Sequence, residues 1–551
     1  MASKEEGGKN TARRDLLLSL QHAAQSKWAE TGAFEYDAPE GVASSPDNKF
    51  FGNFPYPYMN GMLHLGHGFS LSKLEFAAAY HRMRGKHVLF PFGFHCTGMP
   101  IKAAADKINR ECTLYGVPPQ FPEEVKVEEK VEEKAEGDPG KFKGKKTKVA
   151  AKSGTETYQW NILAKSGIPV EELERFRDPT HWLNYFPPLG KRDVTAMGCG
   201  VDWRRSFITT DANPYYDAFV RWHMNTLYKL GNYLVKDKRF TVYSPLDGQP
   251  CADHDRASGE GVGPQEYVLI KMEVLEFSGK LAALADRKGQ VFLCAATLRA
   301  ETMYGQTNYW ILPDGDYGAF EMANGEVYIM AERAALNLSY QDKTAEYGKP
   351  VCLLMLKGQD LMGCPAKSPL AFNEVIFGLP MLTILMSKGT GVVTSVPSDA
   401  PDDYMALQDL KKKPAMREKF GVKDEWVMPF EVVPIINIPE FGDTSAVKVC
   451  EDLKIQSQND RAKLDEAKNR TYMKGFYEGV MLVGGHKGRP VQEAKPAIKQ
   501  ELCDAGLALV YSEPEKKVMS RSGDECVVAL TDQWYLLYGE EEWLFKGRGG
   551  P

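Results

Sequence analysis

Over the first 250 residues apolar side chains recur mostly at helical intervals. ARRDLLLSLQHAAQSKWAE (12–30) places leucines and alanines at that spacing and predicts an amphipathic helix. After a stretch with Pro and Ser, KFFGNFPYPYMNGMLHLGHGFSLSKLEFAAAYHRMRG reads as a strand, a tight Pro/Gly loop and a helix to about Arg84. KHVLFPFGFH supplies the next strand. Strand, loop, helix and strand form a β-α-β unit, which argues for a parallel sheet with helices on its faces. Later, Tyr216, Phe219, Val220, His223, Leu227 and Leu230 form an i, i+3, i+4, i+7 stripe, with Asp211 or Asn213 to cap it and Gly231 to end it.

The period changes near residue 250. In QEYVLIKMEVLEF the alternation of Val268, Ile270, Met272 and Val274 predicts a half-buried strand. More strands are expected at 291–296, 326–331, 351–356 and 391–396. The pattern therefore divides the chain into a first domain over 1–249, a strand-rich domain over 250–515 and a return to the first over 516–551. Within 122–152 the pattern disappears. From Glu123 to Lys148 there are eight acidic and eight basic residues and almost no large apolar ones, so a disordered, charged insert is expected.

Composition narrows the class. With 551 residues, 43% apolar and 26% charged, the chain is of ordinary globular type. It has no apolar run near the roughly 18 residues of a membrane helix, so no membrane partner is expected. Its start, MASKEEGGKNTARRDLL, lacks a secretory apolar core. The ten cysteines are scattered without a CxxC pair, which favours a reducing, cytoplasmic setting and no metal site. Asp253-His254-Asp255 has no third ligand cluster and reads as a polar turn. A net charge of −6 disfavours a small DNA-binding module but not a large enzyme acting on RNA.

Two segments carry candidate chemistry. His64-Leu65-Gly66-His67 stands where a loop passes into a helix N-terminus, a place that attracts phosphate through unpaired N–H groups and the helix dipole. Gly66 would let a nucleotide approach the backbone, and the two imidazoles could donate to phosphate oxygens. In the strand-rich domain, TLRAETM (297–303) and GTGVVTSVPSDAPDD (389–403) end strands with hydroxyl and acidic residues. If those strands are neighbours, threonine hydroxyls could position an ester and a water, while a carboxylate holds an ammonium.

FPYPYMNGMLHLGHGFSLSKLEF, followed by VLFPFGFHCTGMPIK, resembles the HIGH-motif region of class I aminoacyl-tRNA synthetases. The details resemble the leucyl family of the cytosolic, eukaryotic or archaeal type. The resemblance continues through MGCGVDWRRSFITTDANPYYDAFVRWHMNTLYKLG. It implies an α/β fold: a Rossmann-type parallel-sheet catalytic core, interrupted by a strand-rich, barrel-like α+β editing domain. It implies a leucine–tRNA ligase with ATP as substrate, Mg2+ alongside it, and leucine and tRNA(Leu) as partners. His64, Gly66 and His67 would bind ATP and stabilise pyrophosphate departure. Phe54 and Tyr56 would line the amino-acid pocket, and His95 would lie near the substrate ammonium. In the editing domain Thr297, Arg299, Thr302 and Asp403 match. Thr302 would exclude the cognate side chain, Asp403 would anchor the amino group and Arg299 would contact the tRNA end. Editing has a physical reason, because one methylene is worth only about 1–3 kcal/mol of discrimination. Ala300 departs from the proline usual there.

Lys517-Val518-Met519-Ser520-Arg521-Ser522 imitates the family's KMSKS motif, yet it precedes CVVALTDQWY and reads as a hinge or strand edge. On that reading the chain is C-terminally truncated, ahead of KMSKS and the anticodon-binding helices. This leaves an editing-only aminoacyl-tRNA deacylase, or a non-catalytic leucine-binding fragment, as alternatives.

Overall fold

The structure, a computed structural model, describes residues 11–38, 40–41, 45, 47–122, 158–231 and 233–537. The charged insert, Pro122 apart, lies outside them. The chain divides into two compact units, one running to Val235 and resuming at Tyr535, the other Lys236–Trp534. The division thus falls at 235/236 and 534/535 instead of 249/250 and 515/516. The reason is a three-stranded sheet of Leu234–Ser244, Gln249–Pro250 and Val527–Leu536, which belongs almost wholly to the second unit.

In the first unit, strand Lys49–Phe51 runs parallel to His87–Leu89, with helix Leu65–Met83 as the crossover. Gly93–Phe94 pairs in parallel with Phe207–Ile208, and Tyr58 forms a parallel bridge to His95. Parallel neighbours need a crossover, and the β-α-β pattern supplies it. The core beneath gathers Leu71, Ala78, Phe90, Phe92, Phe94, Trp182 and Phe186. Two helices behave differently from their patterns. Ala12–Thr31 and Pro214–Gly231 form over the expected residues, with Asn213 Oδ1 accepting from the Tyr215 and Tyr216 N–H groups. Neither buries a residue, and Leu16, Leu17, Phe219 and Trp222 lie in solvent.

The second unit is built on a ten-stranded mixed sheet. Its order is Val351–Lys357, Asp316–Glu321, Val327–Met330, Val291–Thr297, Pro264–Val274, Pro365–Lys367, Ile376–Pro380, Asn308–Ile311 and Val392–Ser395, and Ala508–Pro514 also pairs with Pro264–Val274. Pro264–Val274 is not half-buried as its alternation predicts. Val268, Ile270, Met272 and Val274 enter one core, while Tyr267 and Leu269 enter a second on the opposite face. A central strand with both faces covered keeps its period of two but loses the polar side. Among the described residues, no helix is long and apolar enough to cross a membrane.

Candidate active sites

His64 precedes helix Leu65–Met83 in an extended conformation (φ −132°, ψ 172°). Its Nδ1 accepts from the Gly66 N–H at 3.1 Å, and its own N–H donates to His67 Nδ1 at 3.3 Å. Each ring thus caps the helix start through Nδ1, and this bonding pattern assigns the proton of the neutral imidazole to Nε2. The ring centroids are 4.1 Å apart. Burial, with His64 adding to it, lowers the His67 pKa, so that ring is neutral at pH 7. A Cβ on Gly66 would stand 2.8 Å from His64 Cε1. A side chain at this position would push the His64 ring off its cap, a constraint independent of any ligand.

His64 and His67 open onto a cavity of about 570 Å3 whose wall includes Phe54, Phe92, Asp193 and Met197. Phe54 stacks on Phe92 at 5.9 Å with the planes 10° apart. Tyr56 and His95 are not among the residues lining this cavity. Tyr56 packs edge-on against Phe207 at 5.3 Å. His95 Nδ1 lies 2.9 Å from Thr209 Oγ1, and its ring lies 4.2 Å from that of Tyr58.

The second site forms where strand Val291–Thr297 passes into the turn Ala300–Gly305. Thr297 Oγ1 accepts from the Arg299 N–H at 3.0 Å, and Thr302 Oγ1 donates to the Arg299 carbonyl at 2.8 Å. The two hydroxyls therefore set the shape of the loop and keep opposite capacities, a proton on Thr297 and lone pairs on Thr302. Val291–Thr297 and Val392–Ser395 are not ladder neighbours; the latter pairs with Asn308–Ile311. The two strands nonetheless lie close together. Thr297, Arg299, Thr302 and Asp403 all line one cavity of about 620 Å3.

Asp403 lies in the first turn of helix Pro401–Lys412. Its Oδ1 accepts from Trp310 Nε1–H at 2.9 Å and its Oδ2 from the Val396 N–H at 2.8 Å. Burial raises its pKa to about 7 against the lowering effect of those two bonds. Further residues of the cavity are not singled out as candidates from the sequence, among them Glu301, Asp399, Lys468 and Tyr472. Burial likewise raises the Asp399 pKa, to about 6. Glu301 and Asp399 lie inside the quoted motifs, and their acidity was the available signal. Lys468 and Tyr472 come from helix Arg461–Tyr477, which no local pattern ties to the site.

Met519–Ser520, inside the KMSKS-like segment, pairs antiparallel with Arg256–Ser258. Ser520 bonds Asp524, which also accepts from Ser244 Oγ and the Leu246 N–H. The segment is a strand edge. Asp253–Asp255 is a single turn, and among the described residues no group of three His, Cys, Asp or Glu could hold a metal ion.

The family model for class I tRNA synthetases (I, L, M and V) matches residues 23–115. The cytoplasmic leucine–tRNA ligase of Arabidopsis thaliana is 61% identical over 542 residues, covering 97% of this chain and 49% of that protein. The cytoplasmic enzyme of Pongo abelii is 56% identical, covering 97% and 46%. The crystal structure of GlLeuRS-CP1 matches with 38% identity over 45% of this chain and 100% of its own, at a TM-score of 0.43. The chain spans about half the length of the curated relatives it matches. Over nearly its whole length the chain is thus similar to leucine–tRNA ligases, and over residues 23–115 to the class I synthetase family.

Proposed function

We propose that this chain carries out the work of a leucine–tRNA ligase. It activates leucine with ATP to leucyl-adenylate, serves its transfer to tRNA(Leu), and hydrolyses mischarged tRNA. The observation that carries the reading is the 61% identity to a named leucine–tRNA ligase running through both units. Because the relatives are whole ligases, the reading is favoured over an editing-only deacylase or a binding fragment. The parallel-stranded first unit is then the N-terminal part of a Rossmann-type core, and the second the inserted, barrel-like editing domain. The cytoplasm is the compartment in this reading.

In the first site ATP, arriving with Mg2+, sets its phosphates at the helix N-terminus, where the dipole favours negative charge. The Nε2–H groups of His64 and His67 donate to the oxygens that gain charge as pyrophosphate departs. Gly66 keeps the His64 ring in place. Phe54 supplies apolar wall for the leucine side, with Tyr56 and His95 beyond it. In the second site Thr297 and Thr302 position the ester and the attacking water, Thr302 crowds the cognate side chain, Arg299 meets the tRNA end and Asp403 braces the wall.

Leucine-dependent ATP–pyrophosphate exchange by purified 1–551 tests the synthetic half, with isoleucine and valine as controls. Exchange with leucine is expected, falling on the order of a hundredfold in His64→Ala. Folded protein without exchange would remove activation from the functions of this chain.

A further inference from the structure

Two of the ten cysteines meet near the two ends of the second unit. Cys251 and Cys526 are 4% and 1% exposed, and both carry free thiols. They pack with Val242 and Val518 in one small apolar cluster. The Cys251 N–H donates to the Val242 carbonyl at 2.8 Å, and the Cys526 N–H to the Val518 carbonyl at 2.9 Å. Asp524 draws the two segments together, because its carboxylate accepts from Ser244 Oγ at 2.9 Å and from the Leu246 N–H at 3.0 Å. Arg256 fixes the other side, its Nε donating to the Cys251 carbonyl at 3.1 Å. Held in this way, the two thiols share a hydrogen bond, with Cys526 donating to Cys251.

The pair is unequal. The bond from Cys526 holds the Cys251 thiol below the ordinary thiol range, against the effect of burial. The same bond, with burial added, pushes the Cys526 thiol well up. Cys251 is therefore the sulphur that ionises to the nucleophilic thiolate, and Cys526 is the partner already in contact with it. Thiols that share a hydrogen bond are a short side-chain movement from the S–S bonding distance of about 2.05 Å. Packing alone would be served by two small apolar residues, since a buried thiol behaves as a small hydrophobe. Two thiols in contact add a chemistry that packing does not need.

We propose that Cys251 and Cys526 are a redox pair that hydrogen peroxide closes into a disulfide, stapling together the two terminal segments of the second unit. The Cys251 thiolate attacks one peroxide oxygen and the O–O bond breaks. Its sulphur becomes a sulfenic acid, and the hydroxide that leaves takes up a proton. The Cys526 thiol then attacks that sulphur, and its proton leaves with the departing hydroxyl as water. Two thiols and one peroxide thus become one disulfide and two waters, each sulphur losing one electron. A dithiol reverses the step by exchange. In a reducing compartment such a bond is transient and sensing instead of permanent. Once formed, it closes nearly the whole second unit into one loop, which restricts the unfolded chain and so favours the folded unit.

The test is peptide mapping of 1–551 after exposure to a molar excess of hydrogen peroxide, alkylation under denaturing conditions and digestion with trypsin. Peptides 240–256 and 522–546, which carry the two cysteines, should emerge joined, and dithiothreitol should part them. Thermal unfolding of the oxidised chain should shift upward by about 5 °C or more, and the shift should vanish in Cys251→Ser and in Cys526→Ser. Circular dichroism checks folding. Either variant suffices if the other fails to fold, and the wild-type map needs neither. Recovery of Cys251 and Cys526 as alkylated free thiols, as sulfinic acids or joined to other cysteines would overturn the proposal. So would a joined pair that leaves the unfolding midpoint unmoved, or a shift of full size in both variants.

Discussion

The two candidate sites solve the problem of presenting polar groups in opposite ways. The His64–His67 site is local: four consecutive residues cap their own helix, and the backbone satisfies each Nδ1. The second site is collective. Its wall takes residues from the 297–302 turn, the 396–403 loop and helix Arg461–Tyr477, and buries carboxylates with acceptors to spare. A locally capped site should survive losses elsewhere in its unit, whereas a collective site is bound to the stability of its whole unit.

That contrast can be broken by mutation, and the largest effect is expected in the collective site. Asp403→Ala would leave the Trp310 Nε1–H and the Val396 N–H, both buried, without acceptors. At about 1–3 kcal/mol for each unsatisfied group, the second unit should lose about 3 kcal/mol, read from urea unfolding. A loss below about 1 kcal/mol would show that Asp403 is not part of the framework.

Gly66→Ala should act more weakly and stay local. The new Cβ would displace the His64 ring and cost about 1 kcal/mol through the lost cap. Pyrophosphate exchange should drop by at least about tenfold, with urea unfolding of the second unit unchanged. Exchange at the wild-type rate would mean that the His64 ring position is irrelevant to activation.

The smallest effect sharpens the comparison because its sign differs between the sites. Asp403 and Asp399 have folded pKa values raised to about 7 and about 6. Between an unfolded value near 4 and those figures the folded state binds more protons, so their contribution to stability falls as pH rises. His67 is lowered, so near pH 6.5 the unfolded state binds more protons, and its contribution grows as pH rises. Amide exchange should therefore slow in the second unit on going from pH 7.5 to 5.5, after correction for intrinsic rates. Asp403→Asn should flatten that trend. An identical slope in wild type and variant would refute the assignment.

The same contrast explains what could be read in the sequence. The β-α-β unit, the helix start at His64 and the strands near 291, 351 and 391 were legible because each rests on periodicity or turn chemistry within a short window. Thr297, Arg299, Thr302 and Asp403, singled out through family resemblance, line one cavity. Glu301 and Asp399 were passed over because an acid beside a turn looks solvated, and burial is a tertiary property. Lys468 and Tyr472 lie 165 or more residues from Thr302, so nothing local could link them. The stripe on Pro214–Gly231 had the right period but faces solvent, since a pattern specifies a face and not its cover.

The pairing of Ala508–Pro514 with Pro264–Val274 has a consequence of another kind. It sets the last strand of the large sheet against one of its first, with Pro514 opposite Pro264. Arg256–Ser258 against Met519–Ser520 repeats this closer to the junctions. The incoming and outgoing chain ends are therefore separated by a single interstrand spacing of about 5 Å. To the polypeptide on either side, some 260 residues occupy no more room than a hairpin turn. Such a module can be gained, lost or excised by a short splice, because the gap it leaves is one that a few residues can close.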